Sequence, residues 1–287
     1  MRVQPPSKEG VPWWLWPTVL SLDAPVVAVC WQDALARSAG VALGGPERIV
    51  LGSSVWLAYA ADRWIEGWRL PAERVRTERH RFGQRRRWPL FAVWVAVLLL
   101  DVALSFRALT ARELLRGAAL LAAVSAYLLS HQLVHRRRRW RLPKEACTAL
   151  LLGAGAAVFV VGPGGVRPGP LGAAASLFVL LCFANCVLIS IWEAEVDRSH
   201  GETSLAQQFR RTGSLARSLP WLIAGGAAAV AAASAGSRPA AACAATSALL
   251  LGWVDRAEPR LGWARARVLA DAALLTPLFL PLWGGGA

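Results

Sequence analysis

Apolar runs of roughly 17–25 residues recur along this chain, the length a helix needs to cross a bilayer. Nine of them can be marked: Thr18–Leu35, Ile49–Ile65, Trp88–Phe106, Glu113–His135, Glu145–Val161, Leu171–Trp192, Leu215–Ser234, Ala240–Val254 and Val268–Trp283. A chain of 287 residues divided this way reads as all-α, a polytopic transmembrane helical bundle of about nine spans. Its 55% hydrophobic content and mean hydropathy of +0.40 exceed those of soluble domains, and the excess is concentrated in the runs. Residues 1–17 are expected to be a cytoplasmic tail ending in the aromatic interfacial anchor WWLWP, and residues 18–284 a single transmembrane domain.

The basic residues follow this division. The loops after even-numbered spans hold 23 Lys or Arg and those after odd-numbered spans hold 7, counting a base in a span's end turn with its loop. Cytoplasmic loops carry such an excess, so the N-terminus and the even loops are expected in the cytoplasm. A net charge of +14 on a soluble chain would suggest nucleic acid. Here the charge lies in short loops between spans, which points to orientation in the inner or cell membrane and to no nucleic-acid partner. HRRRRWR at His135–Arg141 suits anionic lipid head groups as well as topology. The five cysteines lie in or beside apolar runs without CxxC spacing and read as small buried residues. His131 and His135 read as snorkelling ends of span four.

Two clusters of acids stand where apolar runs stop. Asp62 and Glu66 close the second span, and Glu193 and Asp197 close the sixth. Each pair is spaced by four, so on a helix the two carboxylates stack on one face. Unpaired acids that close repel each other and are costly near a bilayer. A hard divalent cation with oxygen ligands would offset the cost, and so would solvation with partners such as Arg63 or Arg69. Asp101 and Asp271 fall inside spans three and nine and are expected to face the bundle interior.

Acid clusters after spans two and six of a nine-span bundle resemble the UbiA superfamily of intramembrane prenyltransferases. The family's first motif, approximately N-x-x-x-D-x-x-x-D, is matched by Ala58, Asp62 and Glu66 in AYAADRWIE (residues 58–66). Its second, approximately D-x-x-x-D, is matched by Glu193 and Asp197 in NCVLISIWEAEVD (residues 185–197). Ala58 stands where the family has Asn, two acids are Glu where Asp is usual, and RLPAERVRTERHR replaces the usual N-x-P-x-R-P continuation. The resemblance implies transfer of a prenyl group from an isoprenyl diphosphate to a hydrophobic acceptor, aromatic or lipid, with Mg²⁺ as cofactor. Asp62, Glu66, Glu193 and Asp197 would be the catalytic metal ligands. Asn185, Arg76, Arg79, Lys144, Arg198 and Asp23 would contact substrate. A catalytically altered relative that binds an isoprenoid or quinone lipid is the alternative, and a secondary transporter is the other, kept open by Asp23, Asp101 and Asp271.

Overall fold

The computed structural model describes residues 11–69, 78–130, 143–162, 166–200, 205 and 212–280. Among them every regular element is a helix. A 3-10 turn, Trp13–Leu15, leads into α1 (Trp16–Val19). The first half continues with α2 (Asp23–Ala39), α3 (Gly45–Arg69), α4 (Glu78–Arg85), α5 (Arg87–Ala108) and α6 (Ala111–Leu129). The second comprises α7 (Lys144–Ala157), α8 (Pro168–Trp192), α9 (Ala194–His200), α10 (Thr212–Ala233), α11 (Arg238–Leu261), α12 (Trp263–Ala273) and a closing 3-10 turn, Thr276–Phe279. The described parts of the nine expected runs fall largely on these helices, so the all-α polytopic bundle is borne out. By length and composition α5, α8 and α10 (from Gly213) can each cross a membrane alone, and α1 with α2 makes a fourth if the bent pair is one span.

Two expected spans are broken. Thr18–Leu35 reads as continuous, yet the axis turns by 76° between α1 and α2. Ser21 adopts φ 60 there. Pro25, in the first turn of α2, has no N–H, and in an unbroken helix its ring would meet the carbonyl of Ser21. The break converts Asp23 from a mid-span acid into the first residue of α2, where helix amides and dipole favour negative charge. The Asp23 carboxylate accepts from the Ala24 amide at 3.0 Å. The last span stops at Ala273, because Pro277 would clash with that residue's carbonyl. The Thr276 hydroxyl donates to the Cys243 carbonyl at 2.9 Å and shares a 2.7 Å bond with Ser247, tying the turn to α11.

The core lies where α2, α8, α10 and α11 meet. Trp31 and Phe178 stack with centroids 4.7 Å apart, surrounded by Leu35, Leu181, Leu188 and Leu251. Small side chains let α10 and α11 approach closely: Ala224 and Ala227 on one, Ala240, Ala244 and Ala248 on the other. By contrast α5 buries no residue and presents Leu99, Leu100 and Phe106 outward, as a lipid-facing helix does. It is held to α3 by polar clasps. Trp94 donates to the Leu57 carbonyl at 2.9 Å, and Asp101 accepts from Ser53 and Ser54. Asp101 is therefore a packing group between helices. All five cysteines are unpaired.

Gly252 is where α11 tolerates no side chain, since an added Cβ would sit 2.7 Å from the Trp221 indole. Gly252→Ala is expected to destabilise the protein by about 1–3 kcal/mol, while Gly225→Ala, whose Cβ meets nothing within 4 Å, is neutral or stabilising. Denaturant unfolding of purified protein in micelles checks the pair.

Candidate functional site

The second acid motif is built at the end of α8. Glu193 is the C-cap of that helix, and α9 starts immediately after it. Glu193 and Asp197 therefore straddle a helix break, where a single helical face is expected from their spacing. The reason is an inward pull on Glu193, which is 4% exposed. Arg267 of α12 donates Nη1 to both of its carboxylate oxygens at 2.6 Å. Two turns earlier on α8, Asn185 donates Nδ2 to Asp271 Oδ1 at 2.9 Å. Asp271 is one turn after Arg267, so α8 and α12 are joined by two polar rungs running in antiparallel order.

A second cluster joins α2 to α3. Arg63 points away from the loop to which its charge would assign it and inserts its guanidinium behind the α1–α2 break. It pairs with Asp23 at 3.4 Å, donates to Ser21 Oγ at 3.3 Å, and also donates to Tyr59 Oη and the Thr18 carbonyl. The guanidinium lies 3.9 Å from the Tyr59 ring centroid. Five donors in a planar fork make these simultaneous contacts possible, which a lysine could not match.

The clusters face each other. Tyr59 is within electrostatic reach of Asp23, Arg63, Arg267 and Asp271, and Asp271 is within reach of Asp23, Arg63 and Arg267. Cys186 on α8 extends this interior toward Asp271, Arg267, Glu145 and Lys144. Lys144 and Asp62 both lie within reach of Tyr127, whose hydroxyl is 3.5 Å from Thr148 Oγ1. The structure thus brings polar groups of α2, α3, α7, α8 and α12 into one buried region lined by apolar helices.

The expected site residues divide as follows. Asp23, Asn185 and Glu193 enter this region, and Asp62 and Lys144 border it on the α6–α7 side. Arg198 is exposed on α9. Glu66 lies on α3, Arg79 on α4 and Asp197 on α9, but their side chains lie outside the described residues, as does all of Arg76. Glu195 is exposed, as expected, and Glu202, His131 and His135 also lie outside the described residues. Among the described residues no three His, Cys, Asp or Glu gather at one point. Arg63 and Arg267 are the residues that charge counting misses, since it assigns both to cytoplasmic loops. Their signal was the four-residue spacing of Arg63 from Tyr59 and of Arg267 from Asp271.

No family model matches the sequence, and no curated protein matches it. Among solved structures, the chain is similar to the apo structure of a UbiA homolog from Aeropyrum pernix K1, with a TM-score of 0.61 and 18% identity over 92% of this chain and 98% of that one. At that identity the likeness carries the fold, a UbiA-type helical bundle, and the long apolar helices α5, α8 and α10 support an integral membrane protein.

Arg63→Met is expected to cost about 3–5 kcal/mol, because it leaves the buried Asp23 carboxylate uncompensated. Arg63→Lys keeps the charge but loses the fork and is expected to cost about 1–3 kcal/mol. Tryptophan-monitored unfolding in micelles measures both.

Proposed function

We propose that this chain is an intramembrane prenyltransferase of the UbiA type, which transfers a prenyl group from an isoprenyl diphosphate to a hydrophobic acceptor. The observation that carries the reading is the UbiA-type fold over 92% of the chain, with acids at the ends of α3 and α8 beside one buried polar region. The about nine spans, the single domain over residues 18–284 and the cytoplasmic siting of the N-terminus and both acid motifs belong to the same proposal, supported by the loop charges.

The carboxylate donors suit a hard cation. Asp62, Glu66 and Asp197 would hold Mg²⁺, with Glu193 shared between that site and Arg267. Bound there, the metal supplies positive charge to the departing diphosphate. The chain's own residues do the rest. Arg76, Arg79, Lys144 and Arg198 would take the diphosphate oxygens, of which Lys144 borders the buried region. The apolar faces of the helices around this region would keep water from the allylic cation left behind. Asn185 holds Asp271 in position and Arg63 holds Asp23.

One observation favours a second reading, a UbiA-like protein that binds an isoprenoid or quinone lipid without turnover: Arg267 already supplies a cation at Glu193. A single experiment separates the two. Purified protein is incubated with labelled geranylgeranyl or farnesyl diphosphate, membrane lipid extract and Mg²⁺. Diphosphate release that falls by about 100-fold or more in Asp62→Ala and Asp197→Ala supports the enzyme. Saturable donor binding without release supports the binding protein, and neither release nor metal-dependent binding contradicts both.

A further inference from the structure

The opposite end of the bundle carries a charged cleft that the prenyl-transfer reading does not use. It opens at the turn between α2 and α3, with a volume of about 220 Å³. Asp33, Arg37 and Arg48 line it, over an apolar floor of Ala36, Val41 and Leu43. Arg48 stands near the start of α3 and Asp62 near its end, about 21 Å away along the axis. Arg48 is held in place: Nε donates to Asp33 Oδ1 at 2.8 Å and Nη1 to the Gly44 carbonyl at 3.1 Å. Its Nη2 has no partner among the described residues. Arg37, one turn beyond Asp33 on α2, is exposed and has no ion-pair or hydrogen-bond partner for its side chain among them either. Three of the carbonyls that end α2 are already taken. The Val41 amide donates to Ala36, the Gly40 amide to Arg37 and the Arg167 amide to Ala39. The Arg167 guanidinium lies against Gly40, where an added Cβ would sit 3.7 Å from Nε. Three guanidiniums thus surround one turn, and the only acid lining the cleft, Asp33, is engaged by Arg48.

The surroundings select the partner. Ile49, next to Arg48, is 60% exposed, and Val26, two turns before Asp33 on the same face of α2, is 43% exposed. Apolar side chains so exposed on membrane helices face acyl chains, so the cleft lies where head group and chain meet. A soluble anion would leave that strip uncovered, whereas a phospholipid covers it. A phosphodiester presents two free oxygens, one for Arg37 and one for Nη2 of Arg48, as charge-assisted bonds. Choline or ethanolamine would bring another cation toward three guanidiniums. Glycerol brings hydroxyls, which can donate to Asp33 Oδ2. We propose that Arg37, Arg48 and Asp33 form a site for the head group of an anionic phospholipid, phosphatidylglycerol by its chemistry, in the leaflet opposite the acid motifs. Its acyl chains lie along Val26 and Ile49, and Arg167 adds to the attraction. The site stands whether or not the chain transfers prenyl groups.

Full-length protein is reconstituted in phosphatidylcholine vesicles with a trace of phosphatidylglycerol carrying a diazirine in its head group. Phosphatidylcholine with the same diazirine is the matched control. Crosslinked peptides are mapped by mass spectrometry, and labelling of the basic stretch His135–Arg141 is the internal reference. Phosphatidylglycerol is expected to label residues 33–49 at least about fivefold more than phosphatidylcholine, roughly the factor that one cation contributes near anionic lipid. Arg37→Gln removes an exposed side chain with no partner to lose, and is expected to lower that preference about fivefold while the reference labelling stays unchanged. Equal labelling by the two lipids in the wild-type protein, or a preference that persists in Arg37→Gln, overturns the proposal. So does loss of the labelling to excess inorganic phosphate at fixed ionic strength, which marks a site for the free anion. The wild-type comparison decides by itself if the variant fails to fold.

Discussion

A charge buried among apolar helices has to be answered inside the protein, and the bifurcated bond from Arg267 to Glu193 is where this chain does so most directly. Both side chains are nearly sealed, at 10% and 5% exposure, and one guanidinium nitrogen reaches both carboxylate oxygens. Losing either partner would strand the other in a low-dielectric interior. The pair fixes the end of α8, sets the junction with α9, and holds α12 against α8. The Asn185–Asp271 rung repeats the contact two turns away, and the Arg63 cluster does for α2 and α3 what Arg267 does for α8 and α12.

Helix breaks make this arrangement possible. Pro25 ends the continuity of the first span and leaves Asp23 at the head of α2. Pro277 ends α12 shortly after Asp271. Glu193 stands at the α8–α9 junction. Asp23, Asp271 and Glu193 are thus each at or near a helix end, where free amides, carbonyls and a change of direction let side chains converge from several helices. Continuous helices would have spread the same acids along separate faces.

Much of the fold was legible in the sequence because apolar run length is a strong physical constraint. The described parts of the nine runs lie largely on helices, and Thr110 with Glu113 forms a capping box that starts α6 two residues before the expected boundary. The breaks were less legible: Pro25 and Pro277 sit inside runs long enough to be read as single spans. The acid pairs were visible as carboxylates at the ends of runs, and Asp271 as an interior acid. Their partners were not. Arg63 and Arg267 count as topology signals when charge is summed by loop, and only the three-dimensional arrangement turns them inward. Tyr59 is likewise assigned by its helical phase to a side away from the Asp62–Glu66 face, yet that side meets Arg63 and looks toward Asp271.

If the Glu193–Arg267 pair organises this interior, it should behave as one unit in a double-mutant cycle. Unfolding of purified protein in micelles would compare wild type, Glu193→Gln, Arg267→Met and the double variant. Each single change is predicted to cost about 3–5 kcal/mol. The double is predicted to cost at least about 2 kcal/mol less than their sum, because no uncompensated charge remains. Additive losses, or single changes that leave stability unaltered, would contradict the central place given to this pair.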